Sequence, residues 1–183
     1  AFESWALVPF HFWSGVFFIL GAIVGSFLNV CIYRLPRGES IVWPGSRCPL
    51  CSYSIPWYLN IPIFTWLWLR GRCANCAAPI SLRYLLVECV TGFAFLGCWL
   101  AYGDTSVMLV LAFALLLAGF IVATFIDYEH FIIPDEITLG GVVVGFLCSA
   151  AVPELHGMTE RAAALRQSFF GIVAVKVILA LGV

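Results

Sequence analysis

Long apolar runs alternate with short polar breaks along this chain, and their lengths predict membrane-spanning helices. Phe12–Tyr33 carries no charge and matches the about 20 residues that a bilayer core requires. Tyr84–Tyr102 is the second such run, with Glu88 a turn inside it, and Val107–Ile126 is the third. The position of Glu88 predicts an ion-pair partner, such as Arg83 or another loop arginine. Gly103-Asp104 predicts a tight turn between these two runs. Ile137–Val152 is a short fourth run, and Ser168–Val183 begins a fifth, interrupted by Lys176, a costly place for a charge. In the first run, Gly21-x-x-x-Gly25 offers a small-residue face that another helix can approach closely. Asn29 near its end predicts a hydrogen bond to a neighbouring helix or to headgroups. Residues 1–10, with Phe2, Trp5 and Phe10, suit an interfacial approach. The first run does not read as a signal peptide: no basic residue precedes it and no small-x-small cleavage site follows it.

Residues 34–83 differ. Arg34, Arg37, Arg47, Arg70, Arg72 and Arg83 lie there, six of the nine basic residues. So do six of the nine prolines. This is an extramembrane loop, and the positive-inside rule places it in the cytoplasm with the N-terminus on the periplasmic side. The chain divides into an N-terminal segment with the first span (1–33), the loop domain (34–83) and a membrane domain (84–183).

Composition agrees. The chain is 63% hydrophobic and 10% charged, with mean hydropathy +1.04, whereas soluble domains run at about 45–50% apolar and about 25% charged. Lipid must be the solvent for most of this surface. A net charge of −1 without a basic tail gives no footprint for nucleic acid. No internal repeat stands out. The expected fold is an all-α polytopic membrane protein, a helical bundle with a four-cysteine zinc-binding loop domain on the cytoplasmic side.

Eight cysteines divide into two groups. Cys31, Cys89, Cys98 and Cys148 lie in apolar runs and read as small hydrophobes. Cys48-x-x-Cys51 and Cys73-x-x-Cys76 lie in the polar loop, 21 residues apart. Each pair can place two thiolates on one cation, and together they close a tetrahedral site for structural zinc. Arg47, Arg70 and Arg72 would offset the charge of the tetrathiolate. A redox dithiol pair is the other reading, but no thioredoxin-like βαβ pattern surrounds either motif. A reducing cytoplasm disfavours disulfides, and a metal would fold a loop too small for its own core.

The apolar monotony breaks at Phe125–Glu136. Asp127, Glu129, Asp135, Glu136 and His130 crowd into ten residues. Asp127 follows the third run directly. A carboxylate at a membrane boundary is costly, so Asp127 is the candidate for chemistry; a boundary carboxylate paired to a loop arginine is the plainer reading. Glu129 and His130 read as solvated or hydrogen-bonded at the interface. Pro134 stops the helix, and Asp135 is placed to cap the next.

The ordered set of motifs resembles the prepilin peptidases, or type IV leader peptidases, bacterial inner-membrane aspartic proteases that often also N-methylate the new pilin N-terminus. It runs from Gly25-Ser26-Phe27-Leu28-Asn29-Val30 and Tyr33-Arg34-Leu35-Pro36 through both cysteine knuckles. Between and after them come Asn60-Ile61-Pro62, Leu69-Arg70-Gly71-Arg72 and Pro79-Ile80-Ser81-x-Arg83-Tyr84. It closes on Glu88, Ile126-Asp127-x-Glu129-His130 and Pro134-Asp135. The resemblance implies that Asp127 is one of two catalytic aspartates. It also implies a prepilin or pseudopilin substrate with a basic leader, and S-adenosylmethionine as methyl donor, which would be sought in the zinc loop near Gly71. The second aspartate of the family lies in a G-x-G-D motif, which does not occur in these 183 residues. Read without a gap, Ala174 takes its place; read with one, Ala174 joins Val175 across an absent segment. Asp135 is a poor substitute, since Pro134 breaks the helix between it and Asp127. The alternative is a catalytically incomplete membrane subunit whose zinc loop docks a secretion or pilus assembly partner.

Overall fold

A computed structural model describes residues 9–158 and 160–180, the side chains of 174–180 excepted. The interfacial reading of Phe2 and Trp5, and the last residues of the fifth run, lie outside the described residues. The first apolar run forms α1 (Phe10–Arg34), followed by a loop with one short helix, α2 (Phe64–Trp68). The second and third runs form α3 (Leu82–Tyr102) and α4 (Val107–His130). After them come α5 (Asp135–Ala151) and α6 (Arg161–Ala180). Among the described residues there is no strand, and the only β pairing is two isolated bridges, Arg47 with Ser54 and Arg72 with Pro79.

Among the described residues three helices are long and apolar enough to cross a membrane: α1, α3 and α4. At 17 residues, α5, the short fourth run, lies at the lower end of the roughly 17–25 residues that a span uses. The polar stretch around Arg161 and Arg166 forms no separate helix. It is the first part of α6, continuous with the fifth apolar run, because no glycine or proline intervenes before Gly171.

The glycine face predicted in α1 explains the closest packing. A Cβ on Gly21 would lie 2.6 Å from the Thr91 carbonyl oxygen and 2.8 Å from Phe95 Cβ; one on Gly25 would lie 2.8 Å from the Glu88 Cα. Without those atoms α1 and α3 run antiparallel almost backbone to backbone. Asn29 Nδ2 fixes their register by donating to the Tyr84 carbonyl at 3.0 Å. On α4, Val110, Ala114, Ala118, Val122 and Ile126 are buried. This four-residue spacing makes one stripe that closes the core with Ile32 and Val87. At the end away from the loop, Trp99 stacks between Phe10 and Phe17.

The junction after α4 differs in one detail from expectation. The helix ends before Pro134, at His130, where Phe131 takes a left-handed φ of 54° and its N–H bonds the Asp127 carbonyl at 2.8 Å. Pro134 itself occupies the N-cap position of α5, so Asp135 stands in the first turn and makes no capping hydrogen bond. The proline ring, already at a φ suited to helix entry, starts the helix one residue early. Asp135 and Glu136 still meet the positive end of the helix dipole there.

Candidate functional site

The four loop cysteines converge. Their sulfurs all lie within 4.8 Å of one another, a set that can hold a metal ion. The short contacts cross between the knuckles: Cys48 to Cys76 at 3.8 Å and Cys51 to Cys73 at 3.9 Å. A tetrahedron with metal–sulfur bonds of 2.3 Å has edges of about 3.8 Å, so the donor set fits a tetrathiolate site. All four thiols are free of disulfides.

Each knuckle is built by the same turn. Cys48 N–H bonds the Tyr53 carbonyl and Ser52 N–H the Cys48 carbonyl, both at 2.9 Å; Cys73 and Ala78, then Ala77 and Cys73, repeat this at 2.8 and 3.0 Å. Ser52 and Ala77 both take positive φ, 56° and 57°. The two units are therefore one structure used twice at an offset of 25 residues. The sequence carries the signal as Arg-Cys-x-x-Cys-x-x-x-Ile at Arg47–Ile55 and again at Arg72–Ile80, where no repeat was expected. Asn75 ties the halves together: its backbone N–H reaches Cys73 Sγ at 3.5 Å and its side-chain amide reaches Cys51 Sγ at 3.6 Å. That amide, ahead of a backbone N–H at Tyr53, brings the Cys51 thiol down to about 6. Cys73 is lowered too, first by the Cys76 backbone N–H and then by that of Asn75. Cys76 goes the other way: although the Ala78 backbone N–H lowers it, its neighbour Cys51, burial and then Cys73 and Cys48 push it up to about 12, so at neutral pH the metal-binding thiolate form is favoured first at Cys51.

Three anchors fix the loop to the bundle. Arg34 is buried and donates to the Ser40, Pro44 and Gly45 carbonyls at 2.9, 2.7 and 3.4 Å. Glu88 is also buried, but it does not pair with Arg83 or another loop arginine; its Oε2 accepts from the Ile63 N–H at 2.7 Å. Arg83 is taken elsewhere, by Glu129 at 2.5 Å. Gly71 is explained by packing. It has a φ of 64°, and a Cβ there would meet Trp66 Cζ2 at 2.7 Å. The Trp66 ring fills the space beside Gly71 where S-adenosylmethionine would be sought, so that position offers no cradle for it.

Asp127 lies at the loop end of the bundle, exposed, one residue after the fully buried Ile126. Among the described residues its carboxylate has no hydrogen-bond or ion-pair partner, and no second carboxylate bonds to it. The plainer reading, a pair with a loop arginine, is not met: among the described residues Arg83 binds Glu129 and not Asp127. Helix geometry separates the two acids: Glu129 lies about 200° around α4 from Asp127. One faces α3 while the other is left free. His130 is half-buried, with its Nε2 unpartnered.

Residues 19–102 match the family model described as "Bacterial Peptidase A24 N-terminal domain". The chain is a relative of the prepilin leader peptidases. It is 47% identical over 129 residues to the prepilin leader peptidase/N-methyltransferase of Myxococcus xanthus, covering 70% of this chain and 38% of that protein. With the protein of the same name from Pectobacterium carotovorum it is 38% identical over 156 residues, covering 74% and 55%. The type 4 prepilin-like proteins leader peptide-processing enzyme of Escherichia coli is 39% identical over 149 residues, covering 72% and 55%. The chain thus spans about half the length of these prepilin peptidase relatives, or less. No solved structure matches.

Proposed function

We propose that this chain works in an aspartic endopeptidase that removes the basic leader of type IV prepilins or pseudopilins at the cytoplasmic face of the bacterial inner membrane. The observation that carries it is the placement of Asp127: a membrane-boundary carboxylate left free while its neighbour Glu129 takes the arginine. An unpaired carboxylate can share a proton with a second one. Of two carboxyl groups about 3 Å apart only one ionises. The ionised one takes a proton from the attacking water, and the neutral one hydrogen-bonds the oxyanion that forms on the scissile carbonyl. Asp127 supplies one member. The resemblance assigns the other to a G-x-G-D motif, which these 183 residues do not contain. The position suits the substrate, whose apolar helix lies among the spans while its polar leader reaches the boundary.

Cys48, Cys51, Cys73 and Cys76 hold structural zinc in this reading; the ion crosslinks the two knuckles and so folds the 34–83 domain. N-methylation of the new N-terminus, with S-adenosylmethionine as donor, is supported by the relatives' names.

The converged cysteine knuckles would also serve a second reading, a membrane subunit whose zinc loop docks an assembly partner. Incubation of the protein in detergent with a synthetic prepilin separates the two. Leader removal by the parent protein, lost in Asp127→Ala with zinc content and helicity unchanged, supports the peptidase. Failure to cleave by a protein that carries a G-x-G-D segment at Ala174–Val175 ends that reading.

A further inference from the structure

The loop does not simply stand off the membrane. Glu88, which holds the Ile63 N–H at 2.7 Å, lies six residues into α3, about 9 Å along its axis. The 21 residues of α3 rise about 30 Å, the thickness of a hydrocarbon core. With the start of α3 at Leu82 taken as the membrane surface, the backbone at Ile63 sits below it. Independently, Ile61 and Pro62 share a groove of about 450 Å³ with Ile23 and Ser26 of α1. Ser26 precedes Arg34, the end of α1, by eight residues, about 12 Å. The groove itself runs along α1 from Ile23 to Arg34, so α1 agrees with α3 in placing this segment against the side of the bundle and not above its end.

Irregular backbone at that depth needs its polar groups satisfied by protein, and Glu88 does this for Ile63. The turn there is tight: Ile63 has φ 62° and ψ −55°, a strained γ-turn for a β-branched residue, closed by Phe64 N–H on the Pro62 carbonyl at 2.5 Å. The turn launches α2, which presents Phe64, Leu67 and Trp68 outward at 57%, 56% and 73% exposure. Phe64 and Trp68 stack at 5.7 Å. Arg70 and Arg72 follow, both exposed.

We propose that Pro62–Trp68 is a re-entrant hook whose outward face, Phe64, Leu67 and Trp68, is immersed in the lipid leaflet at the loop end of the bundle. The occupant of this face is the acyl-chain boundary of the bilayer. Ile23 and Phe27 of α1, which line the groove together with Ile61 and Pro62, are themselves exposed apolar side chains, and an aromatic pair followed by arginines matches the order from acyl chain to headgroup. The hook would press the cysteine domain onto the membrane beside Asp127.

The test uses the 183-residue chain labelled with 5-fluorotryptophan in lipid nanodiscs, the Trp68 resonance being assigned by its loss in Trp68→Phe. Expected is several-fold greater broadening by a lipid with a nitroxide on a shallow acyl carbon than by a water-soluble gadolinium chelate. Glu88→Ala, which removes the acceptor for Ile63, should reverse that preference; Glu88→Gln, which keeps an oxygen acceptor, should not. If Glu88→Ala fails to insert, the comparison of the two paramagnets on the parent chain decides alone. Broadening of Trp68 chiefly by the chelate overturns the proposal. So does shielding that develops only on adding a synthetic prepilin, which would make the face a substrate dock. No cleavage enters the measurement, so loss of the peptidase reading leaves the result intact.

Discussion

Arg83, at the start of α3, grips Glu129, near the end of α4, with one guanidinium nitrogen on both carboxylate oxygens at 2.6 and 2.5 Å. The pair joins the exit of the cysteine loop to the helix turn that carries Asp127. Its side chains remain 17% and 30% exposed, so its energetic value is only about 0–1 kcal/mol. Its importance is positional. Arg83→Ala should lower leader cleavage several-fold while shifting the unfolding midpoint little. The exchange Arg83→Glu with Glu129→Arg should recover much of the loss. Unchanged cleavage in Arg83→Ala would show that the pair does not hold Asp127 in place.

The cysteine cluster predicts a metal stoichiometry. Purified protein should carry about one zinc per chain, since four thiolates complete one tetrahedral site. Cys51→Ser and Cys76→Ser each remove a ligand from a different cross-knuckle contact and should drop the content well below one. Strong chelator, or acid that protonates the thiols, should release the metal and expose residues 40–80 to protease. Elemental analysis with limited proteolysis reads both effects. A folded, metal-free loop with Cys48–Cys76 or Cys51–Cys73 oxidised would contradict the site.

The α1–α3 contact predicts a contrast among glycines. Gly25→Val would put side-chain carbon against the Glu88 Cα, where even a Cβ comes within 2.8 Å, while Gly97 and Gly119 have nothing within 4 Å. Overpacking of this kind costs about 1–3 kcal/mol, and rigid helix backbones on both sides favour the upper part of that range. Gly97→Ala and Gly119→Ala should leave the thermal midpoint in detergent unchanged or slightly raised. Equal effects from all three substitutions would mean that α1 and α3 do not pack this closely.

What the sequence made legible were features that announce themselves locally. An uncharged run of the right length names a span, two glycines four apart name a helix contact, and two C-x-x-C pairs name a shared ligand. Partner choice was not legible, because it depends on which helix ends meet. Glu88 looked like half of an ion pair with Arg83, yet the fold gives Arg83 to Glu129 and gives Glu88 a backbone N–H. The repeated knuckle was visible as Arg-Cys-x-x-Cys-x-x-x-Ile, but its other positions differ, since the turn is set by backbone hydrogen bonds that do not depend on side chains. Gly71 invited a cofactor, and only the placement of Trp66 shows what occupies the space.

Arg34 predicts that a conservative change will not be tolerated. It ends α1 with its side chain buried, 9% exposed, and its two terminal nitrogens reach carbonyls on opposite sides of one loop, Ser40 from Nη1, Pro44 and Gly45 from Nη2. A lysine keeps the charge but has one nitrogen on a shorter reach, so it cannot bond both sides. Loss of a hydrogen bond to a charged donor costs about 1.5–3 kcal/mol, and the loop has little core of its own to offset this. Arg34→Lys should therefore be cut by protease within residues 38–46 at conditions where the parent is intact, and Arg34→Met faster still. Zinc content should stay near that of the parent, because the knuckles close on their own hydrogen bonds. Equal protease resistance in Arg34→Lys and the parent would show that the guanidinium fork does not hold this segment.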